Sequence, residues 1–563
     1  MNARTIPILV EERQRKRATP KGRVVDPAAL ADVRQALGSA ARARDMLIEH
    51  LHKLQDKFGH LSARHLAALA REMDMAQTEV YEVATFYHHF DIVKEGEVAP
   101  PRLTVRVCDG LSCELAGARD LLERLPAILG TEVRVIAAPC VGRCEQAPAV
   151  AVAQHPIACA TTEAVKSAVD AGRSRHEPEG FVDLQGYKEE GGYALLKTCI
   201  AGEIEVDQVI KALEDSGLRG LGGAGFPAGR KWRIVRNEPA PRLMAVNIDE
   251  GEPGTFKDRV YLERDPHRFL EGMLIAAWAV GIGKIYIYLR DEYHGCRAML
   301  ESELAKLREQ PPFPGMPEIC LRRGAGAYIC GEESAMIESI EGKRGMPRLR
   351  PPYVAQVGLF GRPTLEHNFE TLYWVREILE RGSAWFAAQG RHGRSGLRSF
   401  SVSGRVKNPG VKLAPAGITI RELIDEYCGG MQDGHRLYAY LPGGASGGIL
   451  PATMGDIPLD FDTLQPYGCF IGSAAVIVLS DKDRAVDAAR NLMRFFHHES
   501  CGQCTPCRNG TAKASALIEK DRWDLPLLDD LSAVMRDASI CGLGQAAPNP
   551  IDCVIKYFPQ ELK

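Results

Sequence analysis

Apolar residues recur at three- and four-residue spacing through residues 28–97, which is the period of amphipathic helices. Breaks at Gly59 and near Met75 divide this stretch into short segments. The pattern therefore predicts a small helical bundle. The basic, proline-containing residues before it, 1–27, predict a loose N-terminal arm.

The periodicity changes to alternation after residue 98. Three segments alternate as strands do: LTVRVCDG (103–110), EVRVIAAPC (132–140) and PAVAVA (148–153). An amphipathic helix, AGARDLLERLPAIL, separates the first two. This order predicts a compact α/β domain over 98–172. The polar stretch 173–192 predicts a linker.

The remainder of the chain predicts three more domains. Strands such as RLMAVNI (242–248) and KIYIYL (284–289), separated by a helix, predict a large α/β domain over 193–396. Shorter segments that include the glycine-rich LPGGASGGIL predict a small β-grasp-like domain over 397–455. Helical periodicity predicts a C-terminal helical domain over 456–563. The predicted fold class is multidomain α/β.

Composition narrows the class of protein. A chain of 563 residues is too long for one core. A net charge of −3 argues against nucleic-acid binding as the main function. The longest apolar run, MLIAAWAVGIG (273–283), is far too short to span a bilayer, and the N-terminus lacks the apolar core of a secretory signal. We therefore expect a cytoplasmic location and no membrane span.

The chain has sixteen cysteines, and in a reducing compartment clustered cysteines more often bind metal or carry out redox chemistry than form disulfides. Eight fall into two tight groups. The other eight are scattered, and most are expected to be small buried apolar residues. These are cysteines 159, 199, 296, 320, 330, 428, 469 and 553.

The first group has the spacing C-x2-C-x2-C in ESCGQCTPCRNG, with a fourth cysteine on a later loop. Three sulfurs on one tight loop can hold three corners of a cubane, and a remote cysteine completes the cluster. A 4Fe–4S cluster is therefore predicted, with zinc or free thiols as alternatives. The ligands are Cys501, Cys504, Cys507 and Cys541.

The second group is a C-x4-C pair and a C-x3-C pair, each at a strand end: Cys108, Cys113, Cys140 and Cys144. Two pairs can hold the two irons of a 2Fe–2S cluster, although four thiolates also suit structural zinc. Pro139 and Gly142 favour a bent loop that points backbone amides at sulfur.

A glycine-rich loop, GLRGLGGAGFPAG (217–229), contains a formal G-x-G-x-x-G. A helical pattern precedes it, whereas the dinucleotide-binding fingerprint must follow a strand. The loop can still let backbone approach a phosphate or ring closely, with Lys231 beside it. The alternative is a flexible surface loop.

Two acidic loops follow predicted strands or open a helix: NIDEGEPGTFKDR (247–259) and GAGAYICGEESA (324–335). Each could be a solvated loop, and glutamates at a helix start are favourable without any ligand. At the carboxyl end of a strand in an α/β domain, however, ligand contact is the rule. Together with the glycine-rich loop, these make three such loops in one region, which favours a binding site.

Together these residues resemble the flavoprotein of the NADH dehydrogenase family, which includes the NADH-oxidising subunits of respiratory complex I, of NAD-reducing hydrogenases and of NAD-dependent formate dehydrogenases. The matching stretches are GLRGLGGAGFPAGRKW, NIDEGEPGTFKDR, GAGAYICGEESA, PRLRPPY, HNFETL, ESCGQCTPCRNG and SICGLG. The first half, with EVATFYHHF and the two cysteine pairs, resembles the family's thioredoxin-like 2Fe–2S subunit. The resemblance runs from about residue 30 to the end.

The resemblance implies FMN, NAD(H), one 4Fe–4S cluster and one 2Fe–2S cluster. It implies that a set of glycine-loop residues shapes the flavin–nicotinamide pocket: Gly220, Gly222, Gly223, Ala224, Gly225 and Phe226, with Lys231 near phosphate. It implies FMN contacts from Asn247, Asp249, Glu250, Tyr328, Gly331, Glu332 and Asn368. Glu252 and Glu333 would face NAD(H) as the catalytic carboxylates that orient the nicotinamide, and Tyr353 would stack on adenine.

The chain departs from the family pattern at Leu221, where Arg is frequent, at Ile234, where Phe is common, and at His367, where an Asn usually precedes Asn368. One phosphate or adenine contact is therefore expected to be missing.

The resemblance implies hydride transfer between NAD(H) and FMN, followed by one-electron transfer through iron–sulfur clusters to or from a partner subunit. The fused architecture and the ending CGLGQAAPNP resemble the formate dehydrogenase and hydrogenase branches more than complex I. The favoured function is the diaphorase subunit of an NAD-dependent formate dehydrogenase, with a molybdenum or tungsten catalytic subunit as partner. The alternatives are a bidirectional hydrogenase, a complex I-like assembly and, from another class, a zinc-binding scaffold without enzymatic activity.

Overall fold

The computed structural model describes residues 22–562, so most of the predicted N-terminal arm lies outside the described part of the chain. The predicted bundle segment contains α1 (Pro27–Leu37), α2 (Leu47–Phe58), α3 (Ala63–Glu72) and α4 (Gln77–Phe86), with the short parallel strands β1 (Leu61–Ser62) and β2 (Ile92–Val93). Local signals set the boundaries. Asp26 caps α1, Ser62 caps α3, and Gly59 ends α2 in the left-handed region that glycine favours.

The next segment is an α/β unit: β3 (Leu103–Cys108), α5 (Leu111–Leu115), α6 (Ala118–Leu129), β4 (Val133–Ala138), β5 (Val150–Val152), β6 (His155–Ile157) and α7 (Thr162–Asp170). Its sheet has the order β4-β3-β5-β6. Strands β3 and β4 are parallel, so their carboxyl ends lie at the same edge. The loops that carry the four cysteines of this segment start at that edge.

The predicted linker is not entirely irregular, because it contains helix α8 (Leu184–Glu189). Leu184 and Tyr187, three residues apart, are buried, and the Tyr187 hydroxyl donates to the Glu271 carboxylate at 2.6 Å. The polar composition of 173–192 hid these two apolar positions, which anchor the end of the stretch on the following domain.

The largest domain is built on the four parallel strands β7 (Arg242–Ile248), β8 (Ile282–Leu289), β9 (Glu318–Arg323) and β10 (Thr364–Asn368), in the order β10-β7-β8-β9. The helices are α9 (Ala194–Ile200), α10 (Val206–Ser216), α11 (Ala228–Arg236), α12 (Lys257–Arg264), α13 (Pro266–Val280), α14 (His294–Glu309), α15 (Glu333–Ile340), α16 (Phe369–Tyr373), α17 (Val375–Arg381) and α18 (Ser383–Ala387). Helix α13 is buried along almost its whole length.

The small β-rich domain has five strands and one short helix: β11 (Leu397–Gly404), β12 (Gly410–Pro415), α19 (Ile420–Glu422), β13 (Leu437–Leu441), β14 (Leu450–Pro451) and β15 (Ala475–Ser480). The sheet order is β12-β11-β15-β13-β14. The sheet therefore extends past the predicted boundary at residue 455, since β15 lies at its centre. All six residues of β15 are buried, so this strand lacks the alternation that marks a half-exposed strand.

The chain continues with α20 (Ala485–Glu499), α21 (Thr505–Ile518), α22 (Leu525–Ala538), α23 (Gly542–Ala546) and α24 (Asn549–Tyr557). One continuous apolar core joins these helices to the β-rich domain and to the N-terminal bundle. The predicted multidomain α/β fold class is confirmed. Between residues 22 and 562, no helix is long and apolar enough to cross a membrane.

Candidate functional site

The carboxyl ends of the four parallel strands bring the sequence-predicted loops to one edge of the large sheet. NIDEGEPGTFKDR follows β7, GAGAYICGEESA follows β9, and Asn368 is the last residue of β10. Asn247 and Asn368 are register partners on neighbouring strands. The Asn247 side chain also donates to the Gly331 carbonyl at 2.9 Å, which ties the β7 loop to the β9 loop.

The glycine-rich loop lies over this edge and is not a dinucleotide-binding βα turn, because helix α10 precedes it. It closes on itself: Gly220 N donates to Phe226 O at 2.8 Å. Leu221 N donates to the Thr371 hydroxyl at 2.9 Å, which fixes the loop to helix α16.

The loop forms a cradle that side chains would fill. A Cβ on Gly222 would lie 2.9 Å from Asn368 Cβ, and one on Gly225, which has a φ of +65°, would lie 2.6 Å from the Phe461 ring. Gly223 runs along the backbone of Gly472. This close approach is what a flat ring system needs from the protein backbone.

Helix α11 starts directly after the loop, with no side-chain cap and no acidic residue in its first turn. Such a helix N-terminus favours an anion. Lys231 lies in the same turn, where its ammonium donates to the Glu366 carbonyl at 3.0 Å and approaches the Glu366 carboxylate. The predicted position of Lys231 near a phosphate is compatible with this arrangement.

Asp249 provides the clearest sign of a missing partner. It lies in the loop after β7, its Oδ2 is buried without a hydrogen-bond donor, and burial raises its pKa well above the ordinary value. A buried carboxylate oxygen without a donor is costly. The ribityl hydroxyls of FMN are donors of the required kind, so the residues present fit that cofactor.

Two of the predicted FMN contacts are used by the protein itself. The Glu250 carboxylate accepts from the backbone amides of Asp258 and Arg259, at 2.8 and 3.1 Å, and thereby caps α12. The Glu332 carboxylate accepts from Ser334 N and Ala335 N and caps α15. The side chains of Glu250 and Glu332 are therefore occupied by helix caps, which the residue type alone could not indicate.

Glu252 lies at the centre of a partly buried polar network. Its carboxylate accepts from the backbone amide and hydroxyl of Ser446, both at 2.7 Å, and from the Tyr328 hydroxyl. Burial raises the pKa of Glu252. Ser446 was missed by the sequence analysis, which assigned its LPGGASGGIL loop to the small domain without a role; the glycines on both sides were the available signal.

Glu333 is likewise half-buried, but it pairs with a cation, Arg350, at 2.9 Å. Phe226 and Tyr353, predicted to lie on the NAD(H) side, are 38% and 56% exposed. An exposed aromatic ring such as that of Phe226, in the glycine loop, offers a face on which planar groups can stack. The sequence analysis left without a role both Arg350 and Arg230, whose guanidinium lies 5.7 Å from the Phe226 ring centroid.

The four later cysteines surround one small cavity, whose wall also includes Ile329 and Leu543. Cys504 and Cys541 stand at the N-caps of α21 and α23, and Cys507 lies in the first turn of α21. Among the residues that the structure describes, no three of the four sulfurs lie within 4.8 Å of one another. Thiolates on one tetrahedral zinc would be about 3.8 Å apart. The spread fits a cluster better than a single zinc ion.

The four earlier cysteines are buried at the carboxyl edge of β3 and β4. The Cys140 and Cys144 sulfurs are 3.4 Å apart, and Ala149 N points at the Cys113 sulfur at 3.4 Å. The neighbouring cysteines Cys108 and Cys144 lower the pKa of the Cys140 thiol most, and Arg290 and the Gly142 backbone act in the same direction against burial. Gly142 has a φ of +70°, so the predicted bend is present, whereas an amide directed at sulfur stays a prediction.

This cysteine site is docked on the loop after β7 by residues that sequence reasoning missed. Arg290 donates to the Cys140 carbonyl at 2.6 Å and to the Glu250 carbonyl, and Arg259 donates to the Gly142 carbonyl at 3.0 Å. A Cβ on Gly142 would lie 2.6 Å from the Tyr293 ring. Neither arginine has a neighbouring sequence signal that marks it as a bridge.

Four family models match separate parts of the chain. They are a thioredoxin-like [2Fe-2S] ferredoxin over residues 33–173, a Nuo51 FMN-binding domain over 213–377, an SLBB domain over 399–450, and a NADH-ubiquinone oxidoreductase-F iron-sulfur binding region over 487–563. The predicted cofactors FMN, NAD(H), 2Fe–2S and 4Fe–4S are thereby confirmed.

Several curated proteins are similar over the second and larger part of the chain. The NADH-quinone oxidoreductase F 2 subunit of Rhizobium meliloti (strain 1021) is 41% identical over 68% of this chain and 94% of its own length. The corresponding F subunit of Aquifex aeolicus (strain VF5) is 40% identical over 67% and 90%. The mitochondrial NADH dehydrogenase [ubiquinone] flavoprotein 1 of Dictyostelium discoideum is 40% identical over 68% and 84%.

A solved structure extends the similarity to nearly the whole chain. A chain of a NAD+-reducing [NiFe]-hydrogenase in the air-oxidised state superposes with a TM-score of 0.81 at 33% identity. The match covers 93% of this chain and 94% of the hydrogenase chain, and a chain of the H2-reduced enzyme matches equally well, with the same TM-score and identity.

Proposed function

Because this chain belongs to the family of NADH-oxidising flavoproteins that includes the F subunits of the NADH-quinone oxidoreductases, we propose that it is the diaphorase subunit of a soluble NAD-dependent formate dehydrogenase. At the coarser level, it is an NADH-oxidising flavoprotein subunit with 2Fe–2S and 4Fe–4S clusters. The finer proposal adds the partner and the roles of individual residues.

One observation carries the assignment of an electron exit. The Tyr328 hydroxyl donates to Glu252, while the Tyr328 amide donates at 2.9 Å to Glu499, two residues before Cys501. Ile329, the next residue, lines the cavity that the four later cysteines surround. One short loop thus touches both the proposed nicotinamide carboxylate and the proposed 4Fe–4S site, and such adjacency is what electron transfer requires.

When bound, FMN would supply hydride acceptance and one-electron release to iron–sulfur centres. The residues of this chain need to position and shield the reactants. We propose that the flavin ring of FMN binds against the glycine cradle. Lys231 and the N-terminus of α11 would bind the phosphate, and Asp249 would accept from the ribityl chain.

Glu252 and Glu333 have different tasks in this proposal. Glu252 is held rigidly by Ser446 and Tyr328, so it provides a fixed acceptor for an amide N–H of the nicotinamide. Glu333 and Arg350 orient the dinucleotide as it enters. Phe226 and Tyr353 offer exposed faces for stacking.

The fused N-terminal region supports a partner of the formate dehydrogenase or hydrogenase type. The quinone oxidoreductase relatives match about two thirds of this chain, whereas the hydrogenase chain matches both halves. That match favours a NAD-reducing hydrogenase as the second candidate. The segment CGLGQAAPNP (541–550) resembles both of these branches more than complex I, and formate dehydrogenase stays the first candidate on the overall resemblance of the sequence.

Purification of the tagged chain with its native partners tests both the diaphorase function and the identity of the partner subunit. For the diaphorase, we expect FMN, acid-labile sulfide and loss of visible absorbance on adding NADH; a colourless zinc protein would contradict it. For the partner, we expect molybdenum or tungsten and formate-dependent reduction of NAD+. Nickel with H2-dependent reduction would replace the first candidate by the second.

A further inference from the structure

Three side chains from two distant segments meet beside the 4Fe–4S region. His88 follows α4 of the bundle, whereas His498 and Glu499 form the end of α20. The two imidazole rings are 4.1 Å apart between centroids. His88 and His498 are about half exposed, and the Glu499 side chain is buried.

Only one of the two Glu499 carboxylate oxygens accepts a hydrogen bond. Its Oε2 accepts the Tyr328 amide at 2.9 Å. Its Oε1 faces His88 Nδ1 and His498 Nε2, each at 3.9 Å. These separations are too long for hydrogen bonds. Two imidazole nitrogens are therefore directed at one buried oxygen without bonding to it.

The distances suit a cation between the three groups. Ligands at about 2.1 Å from a tetrahedral zinc are about 3.4 Å apart, so each Glu499–histidine separation would have to shorten by roughly 0.5 Å. The two imidazole nitrogens lie within 4.8 Å of each other. Two histidines, one glutamate and a water in the fourth position form a donor set that zinc uses. All three residues line a cavity of about 1840 Å³, which gives access for the water.

A second cluster, His52, His89 and Asp291, also brings three possible ligands together, but His89 Nδ1 already lies 2.6 Å from Asp291 Oδ2 and the charge environment differs. Arg323 donates to Asp291 at 2.5 Å, so a guanidinium already neutralises that carboxylate. A divalent cation there would face an arginine. The Glu499 cluster has no salt-bridging arginine or lysine among the ion pairs of residues 22–562.

We propose that His88, His498 and Glu499 form a zinc site that joins the N-terminal bundle to the end of helix α20. The ion would fix the segment after α4 against α20 and hold Glu499 in place under the Tyr328 amide. The site is distinct from both cysteine clusters, and it does not depend on which partner subunit receives the electrons.

The test uses the holoprotein with both iron–sulfur clusters in place. Samples are dialysed to equilibrium against buffered free zinc, and zinc and iron are measured in the same digests. We expect one zinc per chain in the wild type. His88→Ala and His498→Ala should lose it, with affinity reduced at least about tenfold. Glu499→Gln, which keeps an acceptor for Tyr328 N, should also bind zinc more weakly.

His392→Ala is the matched control, because His392 is an exposed histidine that also faces a carboxylate, Glu422, at 3.0 Å. This variant should bind zinc as the wild type does. Unchanged iron content in every variant shows that the cysteine sites are intact and the chain is folded. Absence of a zinc equivalent in iron-replete wild type, or equal uptake by His88→Ala, would overturn the proposal.

Anomalous scattering at the zinc edge, measured on wild-type crystals soaked in zinc, is a second and independent test that needs no variant. A peak between His88, His498 and Glu499 is expected. A peak elsewhere, or at the cysteines alone, would refute the site even if bulk zinc binding is found. NADH-dependent absorbance changes are recorded in parallel, so that failure of the diaphorase function is recognised separately.

Discussion

The two cysteine quartets are built in opposite ways. Cys108, Cys113, Cys140 and Cys144 are each 6% exposed or less and are covered by the loop after β7 through Arg290 and Arg259. In the later quartet Cys507 alone is buried, and Cys501, Cys504 and Cys541 are half-buried. The first site is enclosed between two domains, whereas the second stands at helix ends near the surface.

The difference indicates different tasks. A cluster that passes electrons to another subunit needs a short path to the surface, and the half-buried cysteines supply one. A cluster enclosed between domains is shielded from solvent and is fastened to the flavin loop. We therefore infer that the later quartet is the exit and that the earlier one stores electrons or stabilises the domain contact.

Substitution of one cysteine in each quartet has the largest expected effect and can break this comparison. Cys541→Ser should abolish NADH-driven reduction of the partner subunit while ferricyanide reduction at the flavin persists. Cys113→Ser should remove the 2Fe–2S signal from the electron paramagnetic resonance spectrum yet retain most partner-linked activity. Equal loss in both variants would place the buried cluster on the main path and contradict the distinction.

The loop that covers the buried quartet also carries Glu252, and its substitution tests whether that loop serves the nicotinamide. Glu252→Gln keeps the acceptor for Ser446 but removes the charge. We expect kcat/KM for NADH to fall by about 10- to 100-fold, or about 1.4–2.7 kcal/mol of transition-state stabilisation. The half-buried Glu333→Gln should lose less. FMN content, measured after extraction, should remain that of the wild type, and loss of flavin would contradict the assigned role.

A matched pair of arginines measures how firmly each quartet is held. Arg290 is buried and donates to the Cys140 carbonyl; Arg508 is exposed and donates to the Gly502 carbonyl in the later cysteine loop at 2.7 Å. Arg290→Ala should lower the free energy of unfolding by about 3 kcal/mol, because it leaves buried partners unpaired. Arg508→Ala should change it by no more than about 0.5 kcal/mol. Urea unfolding provides the comparison, and equal effects would contradict it.

Asp249 allows the stability cost of an unfilled FMN site to be measured, in the domain that covers the enclosed cysteine quartet. Burial raises its pKa, so the folded protein holds this proton more tightly than the unfolded chain. Stability of FMN-free protein should therefore fall as pH rises above the unfolded pKa of about 3.9.

Asp249→Asn should remove that pH dependence and stabilise FMN-free protein at pH 7 by about 1 kcal/mol or more. It should also weaken FMN binding about tenfold, since a charged acceptor is lost. Urea midpoints at pH 5 and pH 8, with flavin fluorescence for affinity, measure both effects. A destabilised apo variant would show that burial of the Asp249 carboxyl without a donor does not cost the FMN-free protein stability.

Much of the fold was predictable because its signals are local. The bundle, the α/β unit with its cysteines at strand ends and two of the four strands of the large domain follow from periodicity, caps and turns. The predictions were less accurate where burial on both faces or polar composition concealed the pattern. Strand β15 and helix α8 are the examples.

The sequence by itself favoured a 4Fe–4S cluster from the C-x2-C-x2-C spacing, and its motifs together carried the family resemblance that implied FMN and NAD(H), because such motifs are set by neighbours along the chain. The tertiary structure decided how the carboxylates are used. The Glu250 and Glu332 carboxylates cap helices, the Glu252 carboxylate accepts from Ser446, and the Glu499 carboxylate lies 3.9 Å from His88 Nδ1. Spacing cannot reveal such uses, because the last two join residues far apart in the chain and the caps depend on where each helix begins.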